Sequence, residues 1–374
     1  MKSVVSLLAV AALFAVGCGS SNSSDDSGAK TAAPSADAAG LREAQANVDA
    51  LLKTPTSVGL TAPISKAIPS GKTLDYITCG LAPCNDMGAA LTDAGAALGW
   101  RVKVLQAGAT PQTIQNAFAQ AVRDKPDGVA YLGLPAAAFA GQLKQLEAAG
   151  VPVIAGDTVD PVGNGIKLVL LNGKQNEAEG VGIASKIIVD SGGDAHIGLV
   201  NLPAYPILGP VVASFKATTA RLCPSCTVKV LDLPQTAIGK DAPERIVNFV
   251  RANRDIRYIW VLTDDLTLGL SSAFAQAGLT GVKVYGLGPG KQNVQALLSG
   301  QETATWPNPN VELGWTAADA FARTFAGESI APDEQWRIPR AIWTKDTIPS
   351  ETGPGGLPVV VPGYEQQFRQ LWGK

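Results

Sequence analysis

The groups able to do chemistry in this 374-residue chain are few and unevenly placed. There is one histidine, His196, and there are five cysteines: Cys18, Cys79, Cys84, Cys223 and Cys226. A serine or cysteine nucleophile would have a single imidazole to draw on, and no Gly-x-Ser-x-Gly elbow occurs. His196 opens the apolar run "HIGLVNL" and reads as structural. One histidine and scattered carboxylates make no metal site, and no cofactor is expected. Gly286, Gly288 and Gly290 in "GLGPG" lack the spacing and the Lys/Ser pair of a phosphate loop. They read as a tight turn that lets backbone approach a ligand. The cysteines are more informative. "CGLAPC" and "CPSC" are short-range pairs, and in an oxidising compartment both form disulfides, Cys79 with Cys84 and Cys223 with Cys226. Two rivals stay open: a four-cysteine zinc site, which needs the distant pairs to meet, and a redox role for "CPSC". The latter pair sits between a helix and a strand, not at the helix N-terminus that lowers a thiol pKa.

Cys18 is the odd one out. It ends an apolar run, Val4 to Val16, that follows Lys2 and is too short to span a bilayer. Ala15-Val16-Gly17-Cys18 resembles the lipobox of bacterial lipoproteins, where cleavage precedes the cysteine and its thiol receives a diacylglycerol. Residues 1–17 thus read as a lipoprotein signal peptide and Cys18 as the lipidation site. The competing reading is an ordinary signal with an incidental cysteine. The Ser/Asp/Ala/Gly/Pro tract 18–40 reads as a disordered tether. No other apolar stretch approaches 20 uncharged residues, so the membrane is touched through the lipid anchor only. The formal net charge of −2 gives no sign of nucleic-acid binding.

The elements that position these groups follow a strict alternation. Residues 41–72 hold the helix "LREAQANVDALLK" and a Pro-punctuated lead-in. From residue 73, short apolar runs such as "TLDYITC", "RVKVLQA", "DGVAYLGL" and "VPVIAGD" alternate with helical segments. Thr110 reads as an N-cap with Pro111 behind it. Continuous apolar strands between helices imply parallel sheets covered on both faces. The pattern then repeats: "GWRVKVLQA" rhymes with "CTVKVLDL", "DGVAYLGL" with "IRYIWVLTD" and "GVPVIAGD" with "GVKVYGLG". The fold class is therefore α/β, with two doubly wound Rossmann-like lobes joined by a multi-strand hinge. Residues 73–171 plus 309–335 form lobe 1, 172–308 form lobe 2, and 336–374 form a C-terminal tail ending in a short amphipathic helix. A ligand would sit beyond the carboxyl ends of the strands, in the cleft between lobes.

Over residues 73–330 the chain resembles the type I periplasmic binding proteins of the ribose- and galactose-binding kind. "GWRVKVLQAGATPQTIQNAFAQAVRDKPDGVAYLGLPAAAFAGQLKQLEAAGVPVIAGD", "VLTDDLTLGLSSAFAQAGLTGVKVYGLG" and "ALLSGQETATWPNPNVELGWTAADAF" carry the resemblance. It implies a monomeric receptor, not an enzyme, that closes by a hinge over a small-molecule solute and delivers it to an ABC permease. The site would lie on the extracytoplasmic face of a bacterial cell membrane. By the resemblance, Asp157 matches a ligand-binding Asp, Asp264 a ligand-binding Asn or Asp, and Asn308 a Gln or Asn after the crossover strand. Asp265 is then the cap of the following helix. The family's Arg after Asp157 is Thr158 here, its Asp after "VYGL" is Gly288, and its first-loop aromatic pair is "APCN". Asn85, Asp86, Tyr205 and Trp306 complete the expected ligand set, while Trp260 reads as core. A sugar or sugar-like polar solute is expected. A sensor presenting its bound state to a signalling partner, and a secreted hydrolase, are the alternatives.

Overall fold

A computed structural model describes residues 36–108 and 110–374. The signal peptide, Cys18 and the tether up to residue 35 lie outside the described residues. Residues 36–40, read above as tether, instead open helix α1 (Ala36–Leu51). The helix is held by burial of Ala44 and Val48. Gly40 lets it approach another helix end closely: a Cβ there would lie 2.0 Å from the Leu222 carbonyl oxygen.

The first sheet is five-stranded and wholly parallel, in the order β2-β1-β3-β4-β5. Its strands are β1 (Thr73–Thr78), β2 (Arg101–Gln106), β3 (Gly128–Leu132), β4 (Val153–Thr158) and β5 (Leu168–Asn172). Helices α2 (Ala82–Leu98), α3 (Pro111–Asp124) and α4 (Ala140–Ala148) connect them. Leu74, Tyr76, Ile77, Val129 and Tyr131 are fully buried, as strands covered on both faces require. Thr110 caps α3 through its side chain.

The second sheet repeats the plan in the order β7-β6-β8-β9-β10. After α5 (Gly173–Ser191) come β6 (His196–Asn201), α6 (Leu208–Leu222), β7 (Thr227–Asp232), α7 (Ala242–Ala252) and β8 (Tyr258–Val261). They are followed by α8 (Leu270–Gln276), β9 (Lys283–Leu287), α9 (Lys291–Leu298) and β10 (Ala304–Trp306). Trp260 is core, its Nε1 donating to the Gly286 carbonyl. His196 sits at the half-exposed start of β6, bonded to Thr227 Oγ1 at 2.8 Å. Both short cysteine pairs are disulfides, Cys79–Cys84 and Cys223–Cys226, which displaces the zinc alternative. Among the described residues no helix is long and apolar enough to cross a membrane.

Helix α10 (Asn310–Ala326) returns to the first sheet's side and packs on α2. There Gly314 allows the contact, since a Cβ would stand 2.8 Å from Leu91 N. The residues beyond 335 form a packed strap. Trp343 forms an antiparallel bridge with Thr305 at the edge of β10, and Ile342 N donates to the Leu51 carbonyl. Helix α12 (Tyr364–Leu371) lays Tyr364, Phe368 and Leu371 on α10, and Trp372 stacks on Trp315 at 5.2 Å. The strap thus touches both lobes.

A buried ion cluster ties these segments together. Arg323 Nε lies 2.6 Å from Asp319 Oδ2 and 3.3 Å from Asp333 Oδ2, in α11 (Ala331–Glu334). Asp319 also accepts from Trp372 Nε1 at 2.7 Å. Burial, then the neighbouring Asp319, pushes the Asp333 carboxyl up to about 9. Removing the single guanidinium leaves buried charge unpaired, so Arg323→Met should cost about 3–5 kcal/mol in urea unfolding. A raised folded-state value means that the stability gained by burying Asp333 in its protonated form is full below the ordinary carboxylate range and is lost as pH climbs toward 9. Asp333→Asn should flatten that part of the stability–pH curve; an unchanged slope between pH 5 and 9 would refute the assignment.

Candidate functional site

Parallel strands all end on the same side, and the two lobes turn those ends toward one another. Between them lies a cavity of about 50 Å³. Its walls come from both lobes: the Cys79–Cys84 disulfide, Leu81, Pro83, Leu132 and Asp157 from the first, and Leu202, Tyr205, Leu262, Thr263 and Leu287 from the second. Asn308, on the crossover before α10, closes it. Larger hollows of about 620 and 610 Å³ are open surface troughs, one lined by Gly59–Ala62 and Arg337, the other by Val159–Val162 and Pro210. The first gathers no strand ends and the second only those of β4 and β5, with no strand of the second sheet, so the small cleft cavity lined by strand ends of both sheets is the candidate site. Its size holds only a few waters, so a larger solute enters by parting the lobes.

Asp157 ends β4 with φ of +51°, a backbone conformation that a non-glycine residue holds at a cost and that clusters at working sites. Its Oδ1 accepts from Asn176 Nδ2 of α5, across the β5–α5 crossing. Burial pushes its carboxyl up to about 6, the Asn176 bond opposing. Behind it Glu179, only 4% exposed, is raised by burial and by Asp157, with Arg340 opposing. The amide Oδ1 of Asn176 is buried and accepts nothing. The same is true of Asn308 Oδ1 at the cavity wall.

Asp86 stands at the cleft margin with Asn308 and Pro289. Burial, then Asp265 on the opposite lobe, pushes its carboxyl up to about 7, against the pull of Lys291. Asp265 Oδ2 accepts from Ala82 N at 3.4 Å and Thr263 Oγ1 at 3.2 Å. Helix α2 has no cap of its own, because Leu81 occupies the N-cap. A carboxylate from the other lobe therefore meets the positive end of its dipole. Burial, then Asp265, raises the Tyr205 phenol.

Four expected ligand residues are placed differently. Asp264, expected to face the cleft with Asp265 as cap, is 0% exposed and points back into its lobe. Its Oδ1 accepts from Leu287 N at 2.6 Å and its Oδ2 from Thr305 Oγ1 at 2.8 Å. Its partner Asp265 is the one turned to the cleft, and it caps α2, not the following helix. Trp306 packs on Gly182 and near Leu51, because the alternation of β10 turns it toward the helical layer. Thr158, next to Asp157 and so on the opposite strand face, bonds Asp160 in a turn. Asn85 is exposed and bonds Thr78 and Gly80 around the disulfide loop. Gly288 supplies close backbone contact instead of side chain: at φ +69°, a Cβ would meet Pro83 of the other lobe at 2.8 Å. The sequence reading missed Thr263, Asp265, Asn176 and Glu179. The last two stand three apart and so share one face near the start of α5, a spacing present in "QNEAEGVGIASK".

The family model described as a periplasmic binding protein domain matches residues 83–329. Among curated proteins none matches the sequence. Solved structures match in fold. An ABC sugar transporter subunit from Rhodobacter sphaeroides is 20% identical, with a TM-score of 0.64 over 74% of this chain and 99% of that one. A solute-binding protein from Agrobacterium vitis with bound allitol is 20% identical at TM-score 0.62, covering 74% and 97%. A glucose-galactose binding protein from Geobacillus stearothermophilus is 15% identical at 0.63, covering 75% and 100%.

Because Asp264 braces β9 and β10 from a fully buried position, Asp264→Ala strands two buried donors. The variant should lose about 2–4 kcal/mol of stability in denaturant. Asp265→Ala, at the half-buried cleft face, should lose about 1 kcal/mol or less. A reversed order in denaturant titrations would overturn the placement.

Proposed function

The chain belongs to the family of periplasmic binding protein domains, and from that premise we propose that it is a non-enzymatic solute-binding lipoprotein. It closes its two lobes around a small polar solute outside the cytoplasmic membrane and hands that solute to an ABC importer. The observation that carries the reading is the cavity at the carboxyl ends of both sheets, where Asp157 of one lobe meets Tyr205, Thr263 and Asn308 of the other. Polar groups contributed from both sides of a hinge make closure depend on what lies between them. The structures that share this fold, a sugar transporter subunit and an allitol-bound solute-binding protein, support a sugar-like solute.

We assign lobe 1 to residues 73–171 with 309–335 and lobe 2 to 172–308, the strap 336–374 lying across both. Anchoring through Cys18 accounts for the cysteine left over from the two disulfides. The working form is a monomer, since one chain supplies both walls of the cleft.

A thermal-shift screen of the Cys18-truncated protein against sugars, polyols and small organic solutes tests the binding claim. A true solute at 100 times its Kd adds about 2.7 kcal/mol of stability. Asn308→Ala should weaken that solute about tenfold or more. Cys18→Ala should move the full chain from the membrane to the soluble fraction; retention on the membrane would sink the anchor.

A further inference from the structure

The cleft offers acceptors and negative charge, and no basic side chain lines its cavity. Asp157 lines it from β4, Asp86 stands in the adjoining hollow with Asn308, and Asp265, bonded to Ala82 N and to Thr263 of the cavity wall, interacts with Asp86 from the opposite lobe. The amide oxygen of Asn308, in a side chain that is 9% exposed, lines the cavity and accepts no bond. Asn176 Oδ1, beside Asp157 and 2% exposed, is equally unpartnered. No Lys, Arg or His lines the cavity. The neighbouring cations lie outside it: Lys291 beside Asp86 is exposed, and Arg340 stands behind Glu179, with Nη2 on the Gln175 carbonyl at 3.1 Å. The rest of the wall is mostly apolar, the Cys79–Cys84 disulfide with leucines, Ile207 and Pro83, and Tyr205 and Thr263 add two neutral hydroxyls.

Closing such a cleft over a neutral solute would bury carboxylates without a counter-charge, which is strongly unfavourable. An anion would be repelled. A hydroxyl brings an acceptor for every donor, whereas an ammonium brings donors only and the missing positive charge. Among the described residues no three metal-ligating side chains converge on one point. The charge is thus spread around an apolar cavity, which suits a cation carried on a carbon frame and not a bare metal ion.

We propose that the solute this cleft closes on is a small organic cation, an amine or quaternary ammonium borne on a compact polar or apolar carbon frame. The proposal rests on the solute-binding reading above and narrows it. Asp157 from the first lobe and Asp265 from the second are the charges that hold the cation, Asn308 accepts from an N–H of an amine or from a hydroxyl on the frame of a quaternary ammonium, and the leucines cover its carbon body.

The test is isothermal titration of the truncated protein with matched pairs: sorbitol against 1-amino-1-deoxysorbitol, and 3,3-dimethyl-1-butanol against choline. A member of the amine arm should bind at least tenfold more tightly than its neutral partner. Its affinity should fall several-fold from pH 8 to pH 5, as Asp86 (facing Asp265 and Lys291) and Asp157 (facing Asn176 and Glu179) take up protons. Asp157→Asn and Asp265→Asn should each weaken the amine about tenfold. Ligand-free melting curves and circular dichroism confirm that the variants fold. If a neutral partner binds as tightly as its amine, the cation class is wrong and the solute-binding reading stands. If neither arm binds while the library screen yields a neutral solute, the cation class is likewise overturned; silence in both overturns the two together.

Discussion

Everything in this molecule follows from one constraint: a parallel sheet buried on both faces has only its strand ends left to offer a ligand. Right-handed crossovers put helices over both faces of each sheet, so mid-strand side chains of the inner strands β1, β3, β4, β6, β8 and β9 do not reach solvent, and the edge strands β2 and β7 expose part of theirs. Chemistry has to be placed where β4, β8 and β9 run out. Two such sheets, each with the same strand order, present those ends to each other. The cleft is thus a product of chain topology before any particular residue is chosen.

What the cleft can do is then decided by how buried charge is handled. The second lobe spends one carboxylate, Asp264, on structure, tying the end of β8 to β9 and β10 through Leu287 N and Thr305. Asn293 completes the tie by donating to the Asp264 carbonyl at 2.9 Å. That rigid corner holds Thr263 and Asp265 at the cleft face. Asp265 in turn reaches Ala82 of the first lobe, so the uncapped N-terminus of α2 is satisfied from across the hinge. The same economy appears far from the cleft, where Arg323 serves Asp319 and Asp333 and locks the terminal strap to α10.

The strap also shapes the hinge. Trp343 extends the edge of β10, and Leu51 at the end of α1 receives the Ile342 amide. Helix α1 itself lies on α5 and α6, with Arg221 holding Glu43 at 2.8 Å. Helix α1 and the Ile342–Trp343 stretch of the strap therefore both reach the second lobe, and any lobe motion has to bend these segments along with the β5–α5 and β10–α10 crossings.

The alternation of short apolar runs with helical segments determined the α/β architecture, the doubling of the lobes and the two disulfide pairs, because periodicity and local spacing are written in consecutive residues. It also marked Asp157, Tyr205 and Asn308, which stand at strand ends or crossovers where the topology forces exposure to the cleft. Only the tertiary structure decided between neighbours. Asp264 and Asp265 differ by one position, and a single turn of 3₁₀ helix after β8 sends one inward and the other outward. Trp306 and Thr158 went the opposite way from expectation because strand alternation gives each residue one face, and which face meets helices depends on packing contributed by α1 and α5. Asn176 and Glu179 join the site only because α5 crosses under β4, a contact between residues 19 apart in sequence for the Asn176–Asp157 bond. Pairings of that kind depend on how lobes dock, and no local pattern of residue types encodes the docking.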